Sequence, residues 1–237
     1  MSPDLTIVAL TALTVGVVHT LLGPDHYLPF IAMARARGWS GPRTLAITLA
    51  CGLGHVGASL VLGALGVVFG WSLTGLSRID EARGNIAVWL LVGFGLAYAA
   101  WGVRSAARSR PHRHLHAHDN GTLHSHGHTH RGEHAHVHEE RARSRSMTPW
   151  LLFTIFIFGP CEALVPLLMV PAAASDWWGV GFVALVFAVA TLATMSALVM
   201  AAHLGLAKLS LGPLERYSHA LAGLALVACG LAIRSGL

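Results

Sequence analysis

Apolar runs of roughly 18 to 28 residues recur along this 237-residue chain, separated by short charged segments. Each run is long enough for a helix to cross a hydrocarbon core ~30 Å thick. Twenty-residue apolar runs are too long for alternating barrel strands. Six spans are predicted, at about 5–34, 44–70, 85–103, 149–174, 178–204 and 217–234. The expected fold is an all-α integral membrane protein.

Polar residues interrupt two of these runs. Span 1 contains "HTLLGPDH" at residues 19–26, and span 4 contains "GPCEALVP" at 159–166. Pro24 cannot donate to the carbonyl of Thr20, and its ring crowds the preceding turn. Helices 1 and 4 are therefore expected to kink or break at Gly23-Pro24 and Gly159-Pro160. A second echo pairs "GLAYAAWG" (95–102) in span 3 with "GLALVACG" (223–230) in span 6. The two echoes keep the order of two three-span halves, 1–103 and 149–237, joined by a segment 104–148. Three is odd, so the halves would have opposite topology. Six transmembrane helices in two inverted three-helix repeats are the expectation, a construction common in transporters.

Composition agrees with this pattern. The chain is 54% hydrophobic and 11% charged, where soluble domains carry about 25% charged residues. The net charge of +5 does not point to nucleic acid. Most of the basic residues lie in the loops after spans 1, 3 and 5, where the positive-inside rule accounts for them. That rule puts segment 104–148 in the cytosol and both termini outside, in the plasma membrane or the bacterial inner membrane. No Lys or Arg precedes the first apolar run, which is read as a span rather than a cleaved signal. Cys51, Cys161 and Cys229 all sit in apolar stretches without a CxxC pair, so no disulfide framework is expected.

The chemistry lies in the polar residues at membrane depth. Asp25 and His26 follow the first break, Cys161 and Glu162 the second. His19 precedes His26 by two helical turns. His55 falls near the centre of span 2, in "GLGHVG". An ionised carboxylate at that depth costs a few kcal/mol or more unless paired or coordinated. The only Lys or Arg within the six predicted spans is Arg234, the last residue of the sixth. A divalent cation would satisfy the whole set; protonated carboxylates or His–carboxylate hydrogen bonds are the alternatives. Imidazole with carboxylate suits Ni²⁺ or Co²⁺, with Zn²⁺ also compatible, whereas Cu⁺ would want more sulfur. His19, Asp25, His26 and His55 are first-choice ligands; Glu162 and Cys161, from the facing half, are second-choice. His203 and His219, near span ends, read as interfacial or hydrogen-bonded residues. Thr191, Thr194 and Ser196 are expected to bond back to their own helix.

Residues 111–138, "PHRHLHAHDNGTLHSHGHTHRGEHAHVH", hold 11 of the 16 histidines. Histidines alternating with Gly, Asn and Ser cannot build a core, so segment 104–148 is expected to be disordered without metal. Metal capture is the composition's usual meaning, and a cytosolic metallochaperone is a candidate partner there.

His19-x5-Asp25-His26, followed by Gly54-His55, resembles the nickel/cobalt transporter family and its UreH-type relatives within the LysE-type superfamily. The His-rich loop between two three-span halves is similar to the RcnA-type exporters. The resemblance implies that His19, Asp25, His26 and His55 select the metal, and it leans towards export rather than import. "GPCEALVP" also looks like the Pro-Cys motif of CcdA-type thiol conductors, but Asp25 stands where their first-half cysteine would be. The function expected is transport of Ni²⁺ or Co²⁺ through a midplane His/Asp site. A thiol-redox conductor and a membrane-tethered metal buffer or sensor are the alternatives. No enzymatic activity, tightly bound cofactor or nucleic-acid partner is expected.

Overall fold

The computed structural model describes residues 3–69, 73–108, 112–117, 123–128, 148–159, 163–174, 176–206 and 212–235. Eight α-helices carry nearly all of them: α1 (Pro3–Leu22), α2 (Leu28–Arg37), α3 (Gly41–Val68), α4 (Leu73–Arg108), α5 (Thr148–Phe158), α6 (Leu164–Ala173), α7 (Trp177–Leu206) and α8 (Ser218–Arg234). Five stretches of helix are long and apolar enough to cross a membrane, at Asp4–Leu22, Gly41–Gly66, Thr74–Arg108, Trp177–Leu206 and Leu214–Arg234. The chain is a helical, multi-pass membrane protein. Ile7, Leu22, Val61, Leu185 and Leu231 are exposed, as lipid-facing positions are. Trp150 and Trp178 are exposed in the first turns of α5 and α7, where indoles suit the membrane–water boundary.

Helix ends follow from local chemistry. At the end of α2, Gly38 adopts φ 60°, its N–H reaches the carbonyls of Ala34 and Arg35, and Trp39 N–H bonds the Ala34 carbonyl at 2.9 Å. A left-handed residue of this kind closes a helix, and glycine takes it without steric cost. Asp176 caps α7, its Oδ1 accepting from Gly179 N–H at 2.8 Å. Between α1 and α2 the chain makes a 3₁₀ turn over Pro24–His26. The last α1 bond there runs from Gly23 N–H to the His19 carbonyl, and His26 N–H then turns to the Gly23 carbonyl. Pro24, having no N–H, could not have continued the helix.

The closest packing joins α4 to α8. A Cβ built on Gly223 would lie 2.4 Å from the Ala99 nitrogen and 2.6 Å from the Gly95 oxygen, and one on Gly102 would lie 2.4 Å from the Ala220 nitrogen. Only hydrogen fits between these backbones. The stretches "GLAYAAWG" and "GLALVACG", similar in sequence, therefore lie against each other. One hydrophobic core gathers Phe30, Met33, Leu152, Phe156, Met195 and Leu226; a second joins Ala12, Val56, Leu164, Val183 and Phe187.

Two boundaries differ from the sequence reading. The third predicted span began at residue 85, but α4 starts at Leu73, so Arg78, Asp80, Glu81 and Arg83 lie on helix rather than in a loop. At its other end α4 runs to Arg108, past the expected start of the His-rich loop. Twelve residues of the segment expected to be disordered are paired strand: β1 (His112–Ala117) runs antiparallel to β2 (Leu123–His128). Its register sets His112 opposite His128, His114 opposite His126 and His116 opposite His124. The two-residue alternation of the sequence suits a strand, whose successive residues point to opposite faces.

Candidate metal centre

Three histidines, His26 and His55 buried and His19 half-buried, meet where the α1–α2 break faces the middle of α3. His19 lies in the last turn of α1, His26 closes the 3₁₀ turn, and His55 projects from the centre of α3. The rings of His19 and His26 have centroids 4.7 Å apart, and those of His26 and His55 5.2 Å, both pairs edge to face. One ring nitrogen from each lies within 4.8 Å of the others. Among the described residues this is the group of three or more His, Cys, Asp or Glu side chains close enough to share an ion.

The hydrogen bonds behind the rings decide which nitrogen is free. His26 Nδ1 is 3.0 Å from Asp25 Oδ1 and 3.1 Å from the Gly23 carbonyl oxygen. Both are acceptors, so Nδ1 carries the proton and Nε2 the lone pair. His55 Nδ1 donates likewise to the Phe156 carbonyl at 3.2 Å. The same carbonyl also accepts from Gly159 N–H at 3.1 Å, in the last turn of the helix. The Nε2 atoms of His19, His26 and His55 are buried and have no hydrogen-bond partner among the described residues. An orphaned polar atom in an apolar interior is costly, and here there are three, on histidines whose ring nitrogens come within 4.8 Å of one another. Oxygen acceptors holding the remote nitrogens while the near ones stay bare is the arrangement that orients histidine ligands around a metal.

Glycine makes the approach close. A Cβ on Gly159 would sit 3.0 Å from His55 Nδ1, and one on Gly54 2.9 Å from the Phe153 ring. A cavity of about 30 Å³ adjoins the centre, lined by Asp25, His55, Ala87, Val88, Phe156 and Gly159. That is room for a water or an ion.

The sequence-predicted residues fall into distinct places. His19, His26 and His55 are brought together. Asp25 stands behind His26, holding its Nδ1, rather than within the trio. Cys161 and Glu162 lie outside the described residues. His203 lines a separate cavity of about 570 Å³ with Arg35, Arg37 and Glu215. His219 is hydrogen-bonded through Nδ1 to the Tyr98 hydroxyl at 2.8 Å, away from the trio. Thr191 Oγ1 and Ser196 Oγ do not bond back to their helix as expected; they are buried without a partner among the described residues. Thr11, Thr14, Thr20 and Thr154 do bond back.

A charged pair that sequence reasoning placed outside the membrane also reaches this region. Arg83 Nη1 donates to Asp80 Oδ1 at 2.8 Å, and Nη2 donates to the Ile157 carbonyl at 2.8 Å and the Gly159 carbonyl at 3.4 Å. Asp80 is 1% exposed and Arg83 16%. The readable signal was an opposite-charge pair three residues apart, flanked by Leu76 and Ile79.

Compared with known proteins, the chain matches no family model, no curated protein and no solved structure. Its function has to be read from the residues themselves.

Proposed function

We propose that the protein carries divalent transition-metal ions across the membrane, Ni²⁺ or Co²⁺ first and Zn²⁺ as a further candidate, through the His19–His26–His55 centre. The observation that supports this is that one ring nitrogen from each of the three histidines lies within 4.8 Å of the others, while their buried Nε2 atoms have no partner among the described residues. Imidazole donors select borderline metals over Mg²⁺ or Ca²⁺. Asp25 is one step back, supplying one negative charge against the ion's two and raising the basicity of His26. Protons and metal compete for the same three lone pairs, so loading weakens on acidification.

In this reading the six crossings are α1–α2, α3, α4, α5–α6, α7 and α8, as two inverted three-helix halves. The crossings at Gly23-Pro24 and Gly159-Pro160 are broken near mid-membrane, where discontinuous helices place binding sites in transporters. The positive-inside rule puts the ends of α2 and α4 in the cytosol, together with the His-rich segment, which collects ions at that mouth and is where a metallochaperone would dock. The likeness to nickel/cobalt transporters supports the same cargo and leans to export. No nucleotide-binding motif accompanies it, so the metal gradient, proton or counter-ion exchange, or a partner protein drives the cycle, and the metal is cargo.

The test is ⁶³Ni²⁺ flux into proteoliposomes, beside His26→Ala and His55→Ala. Flux is expected in the wild type and lost in both variants, with expression retained. Flux unchanged in His55→Ala would remove the centre. A wild type that binds metal without moving it would favour a tethered buffer instead.

A further inference from the structure

The Asp80–Arg83 pair sits between two cavities. Near the start of α4, a cavity of about 340 Å³ is lined by Ser77, Asp80 and Glu81, with Val165 of α6 opposite. Further along the same helix, Ala87, Val88 and Leu91 line the 30 Å³ cavity that touches Asp25 and His55, with Ile155, Phe156 and Gly159 opposite. Arg83 lies between them on the α4 wall. On the other wall it binds the carbonyls of Ile157 and Gly159. Both walls therefore give the same order: outer cavity, guanidinium, inner cavity. Ser77, Asp80, Ala87 and Leu91 are spaced by three, seven and four residues, which keeps them on one helical face.

A guanidinium at this point does two things. Its planar fork ties α4 to the end of α5 through charge-assisted hydrogen bonds. Its fixed positive charge also opposes a cation coming from the acidic outer cavity, Asp80 being occupied in holding it.

We propose that Arg83, latched by Asp80 onto the Ile157 and Gly159 carbonyls, is the gate between the acidic cavity at the start of α4 and the histidine centre. A cation moving between them requires the guanidinium to leave those carbonyls. The role of the pair as an ion gate rests on the transport reading, but the barrier itself does not, and it is tested without metal.

Ala87 is buried in the wall of the inner cavity, which is too small to admit a thiosulfonate reagent while Arg83 is in place. Ala87→Cys in the full chain is labelled with a membrane-impermeant quaternary-ammonium methanethiosulfonate, in right-side-out and inverted vesicles, with the wild type giving the background of the native cysteines. Labelling is expected to be slow in Ala87→Cys. It should be about tenfold faster when Arg83→Gln or Asp80→Asn is added, the factor that losing one charge-assisted hydrogen bond supplies. The acceleration should occur in only one vesicle orientation. Asp80→Asn is the stricter variant, because removing a negative charge would by itself slow a cationic reagent. It also carries the test if Arg83→Gln does not fold. Unchanged labelling in Asp80→Asn, or equal acceleration from both sides, overturns the gate. In the metal-binding arm, Arg83→Gln should raise the Co²⁺ association and dissociation rates together and leave Kd unchanged. A fall in affinity with altered Co²⁺ absorption would instead make Arg83 a prop for His55. A wild type that binds no Co²⁺ while labelling responds as expected would overturn the transport reading and leave the barrier standing.

Discussion

Replacing Gly23 with alanine should cripple the histidine centre while leaving the helices in place. The backbone at Gly23 has φ −87° and ψ 96°, open to any L-residue, so the change carries no backbone strain. The added methyl is the difficulty. It would lie 2.6 Å from His26 Nδ1, 2.8 Å from Asp25 Oδ1 and 3.0 Å from the His19 carbonyl oxygen. Non-bonded heavy atoms rest at about 3.5 Å or more, so His26 or Asp25 must shift by several tenths of an ångström. Those two atoms are the partners of the 3.0 Å bond that orients His26. A hydrogen bond to a charged group contributes about 1.5–3 kcal/mol. At about 1.4 kcal/mol per decade, its loss corresponds to roughly 10- to 150-fold in Kd, in line with the 10–100-fold usual for outer-shell partners of metal ligands. The assay is isothermal titration of Ni²⁺ into the purified full chain, with Gly57→Ala as the control. Gly57 is two residues from His55, and a Cβ there meets nothing within 4 Å. Gly57→Ala should bind like the wild type, and Gly23→Ala about 10- to 100-fold more weakly at unchanged helical content. Equal affinity in the two variants would show that the Asp25–His26 bond orients no ligand.

Two further predictions concern stability and supply. Gly223→Val should lower the thermal midpoint in detergent, by the equivalent of about 2 kcal/mol or more, because its Cβ meets backbone atoms of α4 that cannot rotate aside; Gly205→Ala, whose Cβ meets nothing within 4 Å, should leave the midpoint nearly unchanged. Deleting residues 109–147 should leave flux at saturating metal intact and reduce it when metal on that side is scarce, since a tethered binding segment acts by raising local concentration; equal loss at both concentrations would count against a supply role.

His19, His26 and His55 were legible because a polar side chain in a twenty-residue apolar run needs a reason to be there. Their meeting was not, since His55 is 29 positions beyond His26 and only the packing of α3 brings it in. Asp25 read as a ligand from its place beside His26; spacing could not show that one of its oxygens holds the back of that neighbour's ring. Arg83 escaped notice because hydropathy ended the span at the first cluster of charge, although Leu76 and Ile79 carry the helical pattern through it. Both Gly-Pro pairs were visible, but the Phe156 carbonyl that holds His55 was not, because it lies 101 positions away in sequence.

The contact between Gly95 and Gly223 bears on how such a molecule moves. Side chains slide and exchange rotamers at most helix interfaces, but here two main chains press directly together, and sliding would drive one peptide unit into the other. α4 and α8 are thereby fused into a single strut, although they lie far apart in the sequence. If the histidines are exposed first to one side and then to the other, as the proposed transport requires, the motion must carry this strut as a whole.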